Sequence, residues 1–102
     1  MPVVLSAEAA WDIEEIGDYI HARNPRAALR FISELRLRLA KISDAPRGGA
    51  RRPELWEGLR SIPFHRYVIF YSVTSSDDVR IERVLHGSRD IDTLLGGHGE
   101  ES

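Results

Sequence analysis

Three side chains able to do chemistry, Arg83, His86 and Arg89, crowd the end of one apolar segment, Val79-Arg-Ile-Glu-Arg-Val-Leu-His-Gly-Ser-Arg-Asp90. Metal-free cleavage of RNA needs a base for the 2′-hydroxyl, an acid for the leaving oxygen, and cations for the developing phosphorane charge. His86 could act as acid or base, with Arg83, Arg89, Arg60 or Arg66 clamping phosphate. Tyr67 and Tyr71 alternate along one segment and could stack on bases. The same residues admit a plainer reading. His86 then hydrogen-bonds locally, the arginines meet a partner, and the tyrosines pack at the rim of a core.

Other chemistries find less support. His21, His65, His86 and His98 are scattered without the paired spacing of a metal site. The segment Arg47-Gly-Gly-Ala-Arg-Arg52 lacks the preceding strand and following helix of a phosphate cradle, and reads as a basic loop. No nucleophile-turn motif is present. No metal and no cofactor are therefore expected.

Composition narrows the class further. A chain of 102 residues suits one domain with one modest core. It has no Cys, which excludes disulfides and thiolate metal sites and fits a cytoplasmic setting. Glu8, Asp12, Glu14, Glu15 and Asp18 arrive where a secretory leader would be apolar, so no leader is expected. A net charge of −2 argues against direct DNA binding by this chain alone, and no apolar run is long enough for a membrane span. The charge is nonetheless uneven: an acidic run over 8–18 contrasts with Arg47, Arg51, Arg52, Arg60 and Arg66 in the middle.

The elements that must position these groups are legible. Val3-Val4-Leu5 predicts a short first strand, and Ser6 an N-cap for a helix to about His21, with Ala9, Ile13, Ile16 and Ile20 as its apolar stripe. Asn24-Pro25 predicts an immediate second start, with Ala28, Phe31, Leu35, Leu39 and Ile42 on the buried side as far as Asp44. So short a break makes the two helices an antiparallel hairpin. Leu59–Phe64 predicts an edge strand and His65–Thr74 a central one, with Tyr67, Ile69, Tyr71 and Val73 on one face and Val68 and Phe70 on the other. A turn over 75–78 leads to the strand Val79–His86. The opposite face, carrying Arg60, Arg80 and Glu82, is expected to be the more polar. Ser88–Leu95 predicts a short terminal helix and 96–102 a disordered tail, leaving a domain over 1–95. Trp56, in a loop, is expected to cover the core or a partner. The fold class is α+β, in the order β-α-α-β-β-β, with the helical hairpin on one face of a small antiparallel sheet.

Several of these segments together resemble the ParE toxins of the RelE/ParE superfamily, from Leu5 to about Leu95. They are the helix Ser6-Ala-Glu-Ala-Ala-Trp-Asp-Ile-Glu-Glu-Ile-Gly-Asp-Tyr-Ile20, the start Pro25-Arg-Ala-Ala28, the strands Gly58-Leu-Arg60, Ile62-Pro-Phe64 and Arg66-Tyr-Val-Ile-Phe-Tyr71, and the close Arg83-Val-Leu-His-Gly-Ser-Arg-Asp90. The resemblance implies the toxic half of a bacterial type II toxin–antitoxin pair. It implies a ParD-like antitoxin, a DNA-binding dimer whose extended C-terminal segment wraps the toxin. ParE-like members imply inhibition of DNA gyrase by binding, whereas RelE-like relatives imply ribosome-dependent cleavage of mRNA. Lys41 is the sole lysine and lies on the second helix, and acids at Asp90 and Asp92 stand where a nuclease would use a terminal tyrosine. The non-enzymatic reading is therefore preferred, with Arg60, Arg66, Arg83, His86 and Arg89 as the target-facing side. Trp11, Ile16, Tyr19, Tyr67 and Tyr71, with a sheet edge, would meet the antitoxin. In the alternative, a RelE-like endoribonuclease, His86, Arg83 and Arg89 are catalytic.

Overall fold

The computed structural model describes residues 3–89 together with Ile91, Leu94 and Leu95. Asp90, Asp92 and the predicted tail over 96–102 lie outside the described residues. The elements run β1 (Val3–Leu5), α1 (Ala7–Arg23), α2 (Pro25–Asp44), β2 (Ala50–Arg51), β3 (Arg60–Phe64), β4 (Tyr67–Val73) and β5 (Val79–His86).

Ser6 starts α1 as its sequence position predicts and also anchors it. The Ser6 hydroxyl accepts the Ala9 N–H at 2.9 Å and donates to the Glu82 carbonyl at 2.8 Å. Its backbone N–H donates to Ile81, so the helix begins while tied to β5. Asn24 ends one helix and opens the next. Its N–H donates to the Ile20 carbonyl at 2.8 Å, and its side-chain oxygen accepts from the N–H groups of Arg26 and Ala27. Pro25 at the first helical position of α2 has no N–H to leave unpaired. With one residue between them, α1 and α2 pack side by side as a hairpin.

The five strands lie in the order β1-β5-β4-β3-β2. Strands β3, β4 and β5 form the expected antiparallel meander. Two features add to the predicted order. β1 joins β5 in parallel, Val3 beside Val79 and Leu5 beside Ile81, which makes the sheet mixed. The basic loop contributes the two-residue β2 against β3.

The faces of β4 divide as their alternation predicts. Ile69, Tyr71 and the flanking Tyr67 and Val73 join Ala9, Phe31, Leu35 and Ile42 beneath the helices. Phe70 and Val68 point the other way, into a second cluster with Leu55, Leu59, Leu85 and Leu95, closed by Trp56 and Ile91. The face opposite the helices, expected to be the more polar, is thus largely covered by apolar packing, with Arg80 and Glu82 lining a cleft beside Trp56 and Leu95. Arg60 is not on that face. Arg60 pairs directly with Tyr71 across β3 and β4, and opposed residues in an antiparallel pair project to the same side. Arg60 therefore shares the helix side with Tyr71. A bulge at Phe70/Tyr71 shifts the register against β5 and inserts Glu82 into the strand. Glu82 is buried and takes hydrogen bonds from Ser72 and Arg80.

Candidate functional site

The end of β5 and the side of α1 form a shallow groove. β1 stops opposite Ile81, so among the described residues β5 has no strand beside its last part, and α1 takes that place. Alternation points the backbone groups of Val84 and His86 away from β4, toward this gap. Asp12 fills part of it. Its carboxylate accepts from Arg83 Nε at 2.8 Å and Nη2 at 2.9 Å, and from the Val84 N–H at 3.0 Å. The Asp12 side chain is only 5% exposed and that of Arg83 19%. This bidentate bond to Asp12 holds the Arg83 pKa above its ordinary value, against the opposing effect of burial.

Around this staple stand aromatic side chains. Trp11, Glu15 and Tyr19 follow one another at four-residue steps on one face of α1, and both aromatics are more than half exposed. The Arg23 guanidinium lies 4.7 Å over the Tyr19 ring. Across the groove Tyr67 meets His86 edge-on at 5.4 Å and Phe31 at 5.7 Å. Burial pushes the Tyr67 phenol above its usual range, with Tyr19 adding to the rise and Arg66 opposing it. His86 Nδ1 accepts the Ser88 N–H at 3.1 Å and lies 2.7 Å from the Ser88 hydroxyl. An accepting Nδ1 places the proton of the neutral ring on Nε2. Trp11, Ile16, Tyr67, Leu85, His86 and Arg89 line a space of about 130 Å³. That is below the size of an ordinary small-molecule pocket and suits single side chains of a docked polypeptide.

The residues predicted to face a target do not form one surface. Arg66, in the β3–β4 turn, sits beside the end of β5, where its carbonyl accepts the Gly87 N–H at 2.8 Å. His86 and Arg89 are close by, lining the groove. Arg60 is at the other end of β4: it is level with Tyr71, whereas His86 is level with Tyr67. Four residues of strand separate the two levels by about 13 Å. Arg60 Nη1 moreover donates to the carbonyls of Arg47 and Gly49, so it braces the loop before β2. Arg83 is committed to Asp12, which corrects its expected role as a free contact cation.

Of the residues predicted for an antitoxin, Trp11 and Tyr19 are open, and Ile16 and Tyr67 are partly so. Tyr71 is not available. It is fully buried, its hydroxyl donating to the Pro46 carbonyl at 2.8 Å and accepting the Gly49 N–H at 2.9 Å. Alternation put it on the face of Tyr67, but the C-terminal end of α2 and the following loop cover that end of the strand. Asp12 belongs by charge to the acidic run of α1 but is buried. Its spacing offered a signal, because it falls between Ala9 and Ile16 on the apolar stripe. Among the described residues no group of three His, Asp or Glu side chains gathers as a metal site, and no helix is long and apolar enough to cross a membrane.

Residues 3–91 match the family described as the ParE toxin of the type II toxin–antitoxin system, parDE. The chain is similar to Toxin ParE1 of Mycobacterium tuberculosis, in strains CDC 1551 and H37Rv, at 30% identity over 93 residues, covering 90% of this chain and 95% of that protein. Its fold is similar to a chain of the chromosomal ParDE TA system from P. aeruginosa, with a TM-score of 0.72 at 20% identity, covering 84% of this chain and 95% of that one.

Proposed function

Because the chain belongs to the ParE toxin family of type II toxin–antitoxin systems, we propose that it arrests growth by binding DNA gyrase and is neutralised by a ParD-like antitoxin seated in the groove between α1 and β5. The observation that carries a binding role is the use already made of the candidate catalytic groups. Arg83 is tied to Asp12, and His86 Nδ1 faces Ser88. A phosphate clamp needs its guanidinium edge free for substrate, and the Arg83 edge is spent on Asp12; His86 keeps Nε2 free among the described residues, so it is the arginine that argues for binding over catalysis.

The antitoxin segment lies in the groove alongside His86, beyond the Val84 N–H that Asp12 occupies, and inserts apolar side chains between Trp11, Ile16 and Tyr67. Tyr19 and Arg23 flank its path. Arg66 and Arg89, both exposed, receive its acidic residues or the target. Partly exposed aromatics of this kind commonly dominate a protein interface, and truncating one costs about 2 kcal/mol or more, roughly thirtyfold in affinity.

The test adds purified toxin to gyrase supercoiling and cleavage-complex assays, and in parallel to a translating extract read by primer extension. Inhibition of gyrase that the antitoxin reverses is expected. Codon-linked mRNA cleavage without an effect on gyrase overturns the proposal in favour of a RelE-like nuclease. Trp11→Ala should weaken antitoxin binding at least about tenfold while leaving the gyrase effect in place.

A further inference from the structure

The outer face of the helical hairpin carries a second pattern, which shares Trp11 and Glu15 with the groove wall and otherwise lies outside it. Leu29 and Leu37, at 72% and 67% exposure, are the most exposed large apolar side chains among the described residues. They lie eight positions apart on α2, about 12 Å along one face. Arg26, Arg30, Arg36 and Lys41 surround them, all exposed. α1 is its electrostatic counterpart, with exposed Glu8, Glu14, Glu15 and Asp18 around the exposed Trp11. One chain therefore presents, side by side, an acidic helix with an aromatic anchor and a basic helix with leucine anchors.

We propose that this face binds a second copy of the chain, each α1 lying on the α2 of its partner to form a four-helix bundle. The twofold axis runs parallel to the helices. The hairpin geometry sets the register. The helices meet at Asn24 and rise equally per residue, so such an axis brings a position on α1 level with the position equally far beyond Asn24 on the other copy's α2. Asp18, six residues before Asn24, meets Arg30, six after. Trp11, thirteen before, meets Leu37, thirteen after. Glu8, sixteen before, falls within one residue of the level of Lys41, seventeen after. Trp11 thus meets an apolar anchor, and Asp18 and Glu8 each meet a base. The twofold makes every such contact twice.

Sedimentation velocity on the full chain tests this. A small interface of this kind suits a reversible dimer with a Kd of about 1–100 μM, weakened by salt. Two charge-reversed variants discriminate: Glu8→Lys with Asp18→Lys, and Arg30→Glu with Lys41→Glu. Each alone sets like charges against each other four times and should dimerise at least about tenfold more weakly. Mixed, they restore opposite charges at every contact and should form a heterodimer. Leu37→Ser, at an exposed position that leaves the core intact, should also weaken dimerisation about tenfold. A wild-type chain that stays monomeric over this range overturns the proposal. So do variants that dimerise as well alone as mixed, or a mixture that stays monomeric while both variants keep native circular dichroism.

Discussion

The Asp12 carboxylate joins α1 to β5 by three hydrogen bonds, and removing it gives the sharpest test of how this fold is held. Taking one partner out of a buried ion pair costs about 3–5 kcal/mol when the other charge stays buried. Arg83 keeps 19% of its side chain exposed and can regain part of its hydration, so we take about 2–3 kcal/mol for its loss. The Val84 N–H, left without an acceptor, adds about 1–2 kcal/mol. Asp12→Ala should therefore destabilise by about 3–5 kcal/mol, a large part of the roughly 5–15 kcal/mol of an ordinary domain. A small domain loses about 4–8 °C of Tm per kcal/mol, so Tm should fall by at least about 12 °C. Urea unfolding followed by far-ultraviolet circular dichroism measures this, and an unchanged slope keeps the comparison valid. Combined with Arg83→Ala in a double-mutant cycle, the pair should show a coupling of about 1.5–3 kcal/mol. A loss below about 1 kcal/mol for Asp12→Ala, or strictly additive effects of the two changes, would refute the reasoning.

Four further outcomes follow from other contacts. Tyr67 has its pKa raised by burial, so its contribution to stability is complete below pH 10, the unfolded value, and is lost as pH rises from there through the folded value; in ultraviolet titration, the phenol that Tyr67→Phe removes should be one that ionises above the ordinary range. Tyr71→Phe removes the acceptor of the buried Gly49 N–H and should cost about 1–3 kcal/mol by chemical denaturation. Gly49→Ala, whose new methyl would stand 2.5 Å from the Tyr71 hydroxyl, should cost a comparable amount through overpacking. Asn24→Ala deletes the side-chain cap of α2 and should lower stability by about 1 kcal/mol, with Asn24→Gly milder.

What could be read from the sequence was whatever local chemistry decides. Ser6, Asn24 and Pro25 act within a turn of themselves, and the alternation over Tyr67–Val73 states which side chain faces which layer. The rest depends on partners far along the chain. Three residues of β1 carry no signal that they will lie parallel to a strand 76 positions later. Two residues are too few for β2 to show alternation, and it exists because β3 offers an edge. Asp12 looks like its acidic neighbours until Arg83 and Val84 are brought to it. Tyr71 and Tyr67 are equivalent by period, and only the placement of the loop after α2 buries one and leaves the other at the groove. The candidate site was thus legible in its end-of-strand location and its aromatic wall, but not in which arginines were free.

The parallel pairing of β1 with β5 has a consequence for the order of events during synthesis. Val3–Leu5, Ser6 and Asp12 all await residues 79–84. At about 5–20 residues per second, α1 emerges some 4–15 s before the strand it needs. The helical hairpin, built from local contacts, has ample time to form in that interval. The groove does not, because one of its walls has yet to be translated. A growing chain thus lacks the surface assigned here to recognition, and acquires it in a single late step as the final strand docks between β1 and β4.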